Sequence, residues 1–392
     1  MRVLTVNAGS SSLKISVIDA GDRQVMAEDV PISEGSIDVG LLREALAQAG
    51  PVDAVGHRIV HGGTEYRQAV RIDAGVLARL WELSPLAPLH QARSLQALEE
   101  VEHLAPGVPT VACFDTAFHA GMPAGAATFA VPGQWREQWG LRRYGFHGLS
   151  HRYASRRAAE LLGRPLSRLR LVSCHLGAGA SLCAVQDGRS VDTTMGFTPL
   201  DGLVMATRSG AVDPGAVLWL VQNSGLSIHQ IEDALEHSSG LYGLTGSADM
   251  RDVVQAAGTG DEAAQLGLSV YLHRLSAGVA AMAAAMGGLD AVVFTAGVGE
   301  NSPEVRAETA GRLGFLGLSV DADLNHASGD RLISPDSSPV QVLVTKARED
   351  LEITRDVRQV LDHPDGREPR WPPESPGQGP MPLVPGGPKR SN

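Results

Sequence analysis

Cysteine is scarce in this chain, with only three among 392 residues. The three form no CxxC pair, and no group of histidines and cysteines has the ligand spacing of a zinc site. We therefore interpret Cys113, Cys174 and Cys183 as buried apolar thiols of a reducing compartment. The scarcity excludes a disulfide framework.

Long apolar runs are also missing. No uncharged apolar stretch reaches the roughly 18–20 residues that a membrane helix needs. The longest candidate, residues 275–289, is rich in Ala, Gly and Met and predicts a buried helix. The first residues lack a charged segment followed by an apolar one, so no signal peptide is indicated. The sequence predicts a cytoplasmic protein without a membrane span.

The chain has no excess of basic residues, and its formal net charge is −11. This balance argues against nucleic acid or anionic lipid as the main partner, because both require a basic surface. A hydrophobic content of 43% indicates a globular protein. A local cationic pocket remains compatible with these numbers.

Two common catalytic signatures are absent. The chain contains no GxxxxGK[ST] loop, which excludes a Walker A nucleotide site, and no GxSxG elbow, which gives no support to a serine hydrolase.

A distant internal repeat is present instead. Residues 2–19 and 170–187 each read as an apolar strand, a turn of small residues and a second strand. An offset of 168 places Gly9 on Gly177 and Asp19 on Asp187. A repeat at this distance indicates two duplicated domains rather than a solenoid. Chance similarity between two hairpins is the alternative.

The intervening segments alternate between strands and helices, which predicts an α/β fold. Buried strands are predicted at residues 53–60, 108–114, 291–295 and 340–345. Helices are predicted at residues 74–83, 91–104, 151–162, 216–222 (buried), 228–236, 263–286, from 303 onward and 350–361. Residues 363–392 are crowded with Pro and Gly and predict a disordered tail without a catalytic role.

Three loops of small residues could face phosphate groups. They are the segment NAGSSSLK at 7–14, HLGAGAS at 175–181 and GVGEN at 297–301. Glycine allows tight turns whose backbone N–H groups face an anion, and a helix N-terminus favours one. Each loop alone could be an ordinary turn. Together they are typical of a nucleotide site between two domains.

Four charged or titratable residues lie at predicted strand or loop ends: Arg58, Asp115, His147 and Arg208. The planar guanidinium group binds carboxylates and phosphates well, so two arginines at loop ends fit an anionic substrate. The alternative for each arginine is a structural ion pair. For a histidine, the alternative is a packed or surface side chain.

Ten segments, in order along residues 1–360, resemble the acetate kinase family. They read VNAGSSSLK, GHRIVHGG, PLAPLH, FDTAFH, RRYGFHGLSH, HLGAGAS, DTTMGFTPLDGL, TRSGAVDPG, GLTGSADMRD and AGVGENS. The resemblance implies the superfamily of sugar kinases, actin and heat-shock chaperone ATPases, with two ribonuclease-H-like domains around a nucleotide cleft. It implies a first domain at residues 1–149 plus 348–362 and an ATP-binding second domain at residues 150–347.

The resemblance also implies residue roles at the acid substrate. Three residues would be catalytic, with a carboxylate that orients the acid, a histidine that stabilises the transition state and an arginine that holds the phosphoryl group: Asp115, His147 and Arg208. Five would bind the substrate, one through its charge and four as a small apolar pocket: Arg58, Val60, Leu89, Phe146 and Pro199.

Further implied residues would hold ATP and a metal ion. Those along the phosphate path are Ser10, Ser12 and Lys14. Those around the rest of the nucleotide are His175, Leu176, Gly177, Ala178, Gly179, Asp249, Met250, Arg251, Gly297, Val298, Gly299, Glu300 and Asn301. Mg²⁺, or alternatively Mn²⁺, would be held by Asn7 and Glu349, directly or through water.

The implied reaction is reversible transfer of the ATP γ-phosphoryl group to acetate, giving acetyl phosphate and ADP, by a homodimer. A propionate or butyrate kinase is the nearest alternative, since one methylene in an apolar pocket discriminates by only about 1–3 kcal/mol. A non-catalytic actin-like switch and a phosphatase of related fold are more remote.

The sequence departs from the family pattern at three places. Ala178 stands where the second loop usually has asparagine, and Gln91 also replaces an asparagine. The usual TNEEL reads AREDL at 347–351, around Glu349. These changes bear on ATP and metal binding more than on the reaction.

Overall fold

The computed structural model describes residues 1–9, 12–33 and 36–363, with backbone alone at residues 33, 36 and 88–90. Its strands form two sheets. The first contains β1 (Val3–Ala8), β2 (Ser12–Ile18), β3 (Gln24–Ser33), β4 (Ser36–Ile37), β5 (Ala54–Ile59), β6 (Val70–Arg71) and β7 (Thr110–Phe114). The second contains β8 (Arg170–Leu176), β9 (Ala180–Gln186), β10 (Arg189–Thr193), β11 (Ala291–Thr295), β12 (Arg331–Leu332) and β13 (Gln341–Val344).

The described part of the chain also contains fifteen α-helices. The first five, in the first half of the chain, are α1 (Val39–Ala49), α2 (Ala74–Glu82), α3 (Pro88–Leu104), α4 (Ala124–Ala127) and α5 (Gly133–Trp139). Next come α6 (Gly148–Leu162), α7 (Pro214–Asn223), α8 (Ile228–His237), α9 (Gly240–Thr245), α10 (Met250–Gly258) and α11 (Glu262–Ala285). The last four are α12 (Ala296–Asn301), α13 (Pro303–Arg312), α14 (Ala322–His326) and α15 (Glu349–Asp362).

Both sheets share one topology, which confirms the predicted α/β fold of two similar domains. The first sheet has the order β4-β3-β2-β1-β5-β7-β6 and the second has β10-β9-β8-β11-β13-β12. In each, a three-stranded antiparallel meander continues into two parallel strands. The predicted repeat corresponds to the hairpins β1–β2 and β8–β9. Their registers differ by one residue, since Ala8 pairs with Leu13 but Leu176 with Ala180.

One helix contradicts the sequence analysis. Helix α7 was predicted to be buried, but none of its residues is, and Leu218 and Trp219 are 60% and 59% exposed. An apolar run of this length gives the same pattern whether the domain or another surface covers it. The prediction of a buried helix near residue 275 is confirmed, because Leu275, Val279 and Met282 of α11 are buried.

The last helix packs on the first sheet. Ile353 and Val357 of α15 are fully buried in a cluster with Val3 and Ala54. The helix lies so close to β5 that a Cβ added at Gly56 would lie 2.4 Å from Cγ2 of Ile353. The chain therefore returns to its first sheet after completing the second. The domain limits themselves stay a prediction.

The remaining sequence predictions have mixed outcomes. All three cysteines are buried and unbridged, as expected. The sequence analysis missed strands β3, β4, β6, β10 and β12 and helices α1, α4, α5, α9, α10 and α14. In the described ranges, no helix has both the length and the apolar character that a membrane span requires. The predicted tail lies outside the described residues from 364 onward.

Candidate active site

A buried ion pair forms the floor of the cleft between the domains. Parallel strands β5 and β7 are neighbours, so their carboxyl ends bring Arg58 and Asp115 to one edge of the sheet. The Arg58 guanidinium donates to both carboxylate oxygens of Asp115, with Nη2 2.5 Å from Oδ2 and Nε 3.0 Å from Oδ1. Asp115 is fully buried. The structure therefore brings together two of the four residues that the sequence analysis singled out.

The predicted metal residues extend this pair. Nη1 of Arg58 donates to Oδ1 of Asn7 over 3.2 Å, and Nδ2 of Asn7 donates to a carboxylate oxygen of Glu349 over 2.6 Å. Asn7 lies on β1 and Glu349 begins α15, so the first and last elements meet here. The structure thus brings Glu349 to the cleft despite its departure from the family pattern.

The pKa values in this network reflect burial and charge. Burial raises the pKa of Glu349, and the nearby Asp115 carboxylate raises it further, against the opposing effect of Arg58. Burial alone would lower the pKa of Arg58, but Asp115 and Glu349 reverse this and raise it. Two carboxylates therefore share one buried guanidinium group, an arrangement that would accommodate an additional cation.

His147 is the residue immediately before α6, and its side chain lies at the cleft. Its backbone is left-handed, with φ of 57°, and the next residue, Gly148, donates its N–H to the carbonyl of Asp115 over 2.9 Å. A Cβ at Gly148 would lie 2.1 Å from that carbonyl oxygen. The His147 ring stacks on His175 of β8, with centroids 4.1 Å apart. The turn before α6 thus places His147 beside the ion pair.

A chain of alternating histidines and serines lies behind His147. Nδ1 of His147 and Nε2 of His151 lie 2.9 Å and 2.8 Å from the same hydroxyl, Oγ of Ser181. Nδ1 of His151 lies 2.9 Å from Oγ of Ser173. A hydroxyl donates one hydrogen bond, so one of the two rings must donate to Ser181. If Ser181 donates to His147, the remaining proton of a neutral His147 is on Nε2.

Burial holds this histidine group neutral. The pKa values of His147 and His151 lie well below their ordinary range, first through burial. The charges of His175 and Arg58 lower the pKa of His147 further, and those of His119 and His175 lower that of His151. Burial lowers the pKa of His175 to about 3 and that of His119 to about 4. A neutral ring acts as a donor on one nitrogen and an acceptor on the other, which fits the alternating chain.

Arg208 approaches from the second domain. Its Nη1 donates to the carbonyl of Pro199 over 3.0 Å, and its Nε lies 3.4 Å from a carboxylate oxygen of Glu236. A Cβ added at Gly179 would lie 3.3 Å from the His147 ring and 3.5 Å from Nη1 of Arg208. The second glycine turn therefore lies between these two side chains. Burial lowers the pKa of Arg208.

Two of the residues predicted to form the apolar pocket pack in one cluster. Val60 and Phe146 are 3% and 1% exposed and belong to one buried cluster. The carbonyl of Pro199 is fixed by Arg208. The side chain of Leu89 lies outside the described residues. Gln91 makes two buried hydrogen bonds of 3.0 Å with the backbone of His61, which accounts for the glutamine there.

The second and third glycine segments lie side by side. The N–H of Gly177 donates to the carbonyl of Gly179 over 3.0 Å, and the carbonyl of Ala178 accepts from Ala206 over 3.1 Å. A Cβ at Gly177 would lie 3.6 Å from Cβ of Ala296, where α12 begins. Leu176 is fully buried. The predicted nucleotide loops thus meet along β8 and β11.

The third segment differs from its prediction as a glycine turn before a helix. The glycines Gly297 and Gly299, with Val298, form the short helix α12 itself. The carboxylate of Glu300 accepts from the backbone N–H of Ala296 and of Ala347, at 3.1 Å and 2.8 Å.

Through these two hydrogen bonds the Glu300 side chain stabilises the start of α12 and connects it to the segment before α15. Asn301, by contrast, is exposed and donates to the carbonyl of Gly297 over 2.8 Å.

The other residues predicted to bind ATP lie on α10 and β2. Asp249 caps the start of α10 and pairs with the largely exposed Arg251, while the side chain of Met250 is buried. Lys14 is exposed on β2, opposite Asn7 in the β1–β2 register, and its charge lowers the pKa of His175.

The first glycine segment is only partly described. The carbonyl of Ser12 accepts from the N–H of Gly9 over 2.8 Å, which closes the turn. Ser10 lies outside the described residues.

Sequence reasoning missed the residues that support the site. Ser181, His151 and Ser173 orient His147, and Glu236 pairs with Arg208. The segment containing His151 was quoted for the resemblance, but nothing in spacing indicated which partner it faces. Contacts of this kind depend on tertiary packing.

The donor set suits a hard cation in part. Carboxylates and an amide oxygen are ligands that Mg²⁺ accepts, and this ion usually combines one or two carboxylates with water and substrate phosphates. Glu349, Asn7 and Asp115 provide such oxygens. Among the residues that the structure describes, no group of three His, Cys, Asp or Glu side chains could hold a metal ion.

Comparison with known proteins identifies the family. The profile of the Acetokinase family matches residues 39–355. The chain belongs to the acetokinase family. Family membership makes it an enzyme of the phosphotransferase class.

Relatives and solved structures match over nearly the whole chain. An acetate kinase from Thermotoga maritima is 42% identical over 92% of this chain and 99% of its own. One from Clavibacter michiganensis is 45% identical over 90% and 97%. The crystal structure of Porphyromonas gingivalis acetate kinase aligns with TM-score 0.83 and 35% identity over 92% and 99%. A propionate kinase from Francisella tularensis gives the same TM-score and identity over 91% and 98%.

The buried histidines predict acid instability. The folded pKa values of His61 and His119 are both lowered to about 4, while an unfolded histidine titrates near 6.5. The unfolded chain therefore binds more protons below about pH 6.5. The free energy of unfolding should fall as pH drops from 6.5 towards 4, by up to about 1.4 kcal/mol per pH unit for each histidine.

Urea unfolding at several pH values measures this slope. His119→Gln should reduce the proton uptake on unfolding by about one. His229→Gln is the matched control, because His229 is 95% exposed and should leave the slope unchanged. Equal slopes for His119→Gln and the unaltered protein would contradict the assignment.

Proposed function

We propose that this enzyme transfers the γ-phosphoryl group of ATP to acetate, reversibly, giving acetyl phosphate and ADP. The observation that supports it is the approach of Arg58, Asp115, His147 and Arg208 from separate elements to one cleft. Two guanidinium groups and one neutral histidine lie on these elements. Such a site suits a small carboxylate that faces a phosphate.

The reaction needs placement and charge more than a strong base. A carboxylate oxygen of acetate attacks the γ-phosphorus, and the bond from phosphorus to the β–γ bridging oxygen breaks. ADP leaves with that oxygen, and no proton has to be removed from the nucleophile. Negative charge spreads over the equatorial oxygens of a loose transition state. Arg58 and Arg208 are positioned to balance that charge, one from each domain.

His147 adds a directed donor. With Ser181 donating to Nδ1, the Nε2–H of the neutral ring is available to a phosphoryl oxygen. In that polarity His151 donates from Nε2 to Ser181 and accepts from Ser173 at Nδ1, which completes the chain. Because the ring is held in place before substrate binds, little reorganisation is required during transfer.

Mg²⁺ is the expected cofactor, with Mn²⁺ as a substitute. When bound, it neutralises charge on the β- and γ-phosphates. Glu349 and Asn7 would hold it directly or through water, close to Asp115. Asp115 would orient the acid and help to position the ion, while Arg58 keeps that carboxylate in place.

The nucleotide would lie along the second domain. The turn at Gly177–Gly179 and the start of α12 offer backbone groups beside His147 and Arg208. Asn301 is the exposed polar side chain of α12, whereas Glu300 acts on the helix itself. Lys14 would reach the phosphates from the first domain.

The chain length of the acid substrate determines which member of the family this enzyme is. Val60 and Phe146 belong to one buried apolar cluster and would border the methyl group of a short acid. Propionate is the nearest alternative, favoured by the similarity to the Francisella protein described as a propionate kinase. Butyrate would require still more room.

Trapping of acyl phosphate with hydroxylamine tests the reaction and the acid together. We expect acyl hydroxamate to form only with ATP, a carboxylic acid and divalent metal, with the highest kcat/KM for acetate among acetate, propionate and butyrate. Chelation by EDTA should abolish the signal, and Mg²⁺ or Mn²⁺ should restore it. A higher kcat/KM for propionate would make the chain a propionate kinase. ATP hydrolysis without hydroxamate would refute phosphoryl transfer to an acid.

Arg208→Ala tests the charge balance at the phosphoryl group. Loss of one transition-state donor should lower kcat by about 10² to 10³. Arg312→Ala serves as control, because Arg312 is an exposed residue of α13 and should retain normal kcat. Near-normal turnover of Arg208→Ala would contradict the proposed arrangement.

We also propose that the enzyme is a homodimer, as the family resemblance implies, with helix α7 and the segment after it at the interface. Residues 211–228 contain one charged side chain, Asp213. Leu218, Trp219 and Ile228 are 60%, 59% and 67% exposed. Contiguous exposed apolar surface of this kind is typical of association between subunits.

Light scattering during size exclusion measures the subunit number. The unaltered chain should elute as a dimer and Trp219→Glu as a folded monomer, because a buried carboxylate without a partner is costly. Phe315→Glu, at a residue 78% exposed in another part of the domain, should remain a dimer. A dimeric Trp219→Glu would place the interface elsewhere, and a monomeric unaltered chain would refute the dimer.

A further inference from the structure

A second cavity of about 870 Å³ lies between the two domains. The first domain contributes residues 67–71 and α15 to its lining. The second contributes α6, Leu166 and the β9–β10 turn at residues 188–190. We call this cavity the rear groove. Its volume is that of a site for an organic ligand of moderate size.

The rear groove is separate from the catalytic cleft. The cleft includes the turn before β9 at Gly179, and the rear groove includes the turn after β9 at Gly188. Strand β9 has seven residues, so these two turns are roughly 20 Å apart. None of the residues placed above in the candidate active site lines the rear groove.

The lining is strongly basic in an otherwise acidic protein. Two carboxylates, Glu352 and Asp356, face six arginines: Arg67, Arg71, Arg152, Arg156, Arg189 and Arg355. The chain as a whole has a net charge of −11. A concave surface lined with charge of one sign concentrates ligands of the other sign. The chemistry of the groove therefore selects an anion.

The two carboxylates already form ion pairs with arginines of the groove. Nε of Arg156 donates to Glu352 over 2.7 Å, and Nη2 of Arg152 lies 2.8 Å from a carboxylate oxygen of Asp356. Burial and the charges of Arg156 and Arg152 lower the pKa of Arg355, while Glu352 and Asp356 raise it. The lining thus contains four more arginines than carboxylates, and a bound anion would balance part of that excess charge.

Part of the lining is apolar. Ala69, Val70 and Phe118 line the side of the first domain, and Leu166 lies on the second. Val360 of α15 adds to this surface. A ligand that fills the groove therefore has both an anionic group and an apolar or ring portion. Arginine forks match phosphate oxygens in pairs, which favours phosphate over a single carboxylate.

We propose that the rear groove binds a small organic phosphate, with its phosphate group on the arginines and its carbon skeleton on the apolar lining. The ligand would contact both domains, through Arg71 on the first and Arg189 on the second. This binding does not depend on the function proposed for the catalytic cleft.

Titration followed by ³¹P NMR tests the site, with phenyl phosphate and inorganic phosphate as probes at constant pH and ionic strength. Phenyl phosphate should bind the unaltered enzyme more tightly than inorganic phosphate does, because only the former covers the apolar lining. Arg71→Glu combined with Arg189→Glu should weaken phenyl phosphate binding by about tenfold or more. Both arginines are exposed, so this variant should fold.

Two controls locate the binding. Arg312→Glu removes a surface arginine outside the groove, and Arg208→Ala removes one from the catalytic cleft; both should bind phenyl phosphate as the unaltered enzyme does. Absence of binding to the unaltered enzyme would overturn the proposal. So would loss of binding in Arg208→Ala with retention in the groove variant. Equal affinity for phenyl phosphate and inorganic phosphate would refute the proposed contact between the carbon skeleton and the apolar lining. Should the double variant fail to fold, Arg71→Gln with Arg189→Gln replaces it under the same criteria.

The rear groove shares two helices with the cleft. Helix α6 begins directly after His147, and α15 begins at Glu349. A ligand in the groove, which both helices line, would therefore couple to the cleft, an extension that rests on the proposed function. Phenyl phosphate should change KM for acetate in the unaltered enzyme and leave the double variant unaffected. Binding without any change in KM would refute the coupling and leave the site itself supported.

Discussion

The buried pair of Arg58 and Asp115 is the constraint on which the candidate active site depends. Removing two charges from water costs several kcal/mol for each ion, and only close pairing with further hydrogen bonds offsets that cost. Arg58 satisfies both requirements, since it grips Asp115 with two nitrogens and donates to Asn7 and to the carbonyl of Ala8. The geometry of β1, β5 and β7 is therefore fixed at the carboxyl edge of the first sheet.

The same pair organises the link between domains. The carbonyl of Asp115 accepts the N–H of Gly148, so α6 starts against the ion pair and presents His147 to the cleft. Beyond it, Ser181 of the second sheet holds the His147 ring. A single turn of chain thus connects a charge in one domain with a hydroxyl in the other. The left-handed backbone of His147 is maintained by contacts on both sides.

Buried neutral histidines should make the folded protein sensitive to acid. Burial keeps the rings uncharged, so they serve as oriented donors and acceptors without adding positive charge next to two arginines. Protonation of the group would place several like charges together in a poorly solvated space. The protein concentrates its positive charge on guanidinium groups, which stay ionised, in both the cleft and the rear groove.

Hydrophobic periodicity and turn residues determined the α/β class, the duplicated hairpins and most helices, because these depend on local sequence. The ordered motifs determined the family and named Arg58, Asp115, His147 and Arg208 as the residues of interest. The tertiary structure alone decided which partners they have. Ser181, His151 and Glu236 lie far along the chain from the side chains they orient, and no spacing encodes such contacts. It also decided that α7 is exposed and that Glu300 fixes its own helix, since burial depends on which surfaces remain after the two sheets have packed.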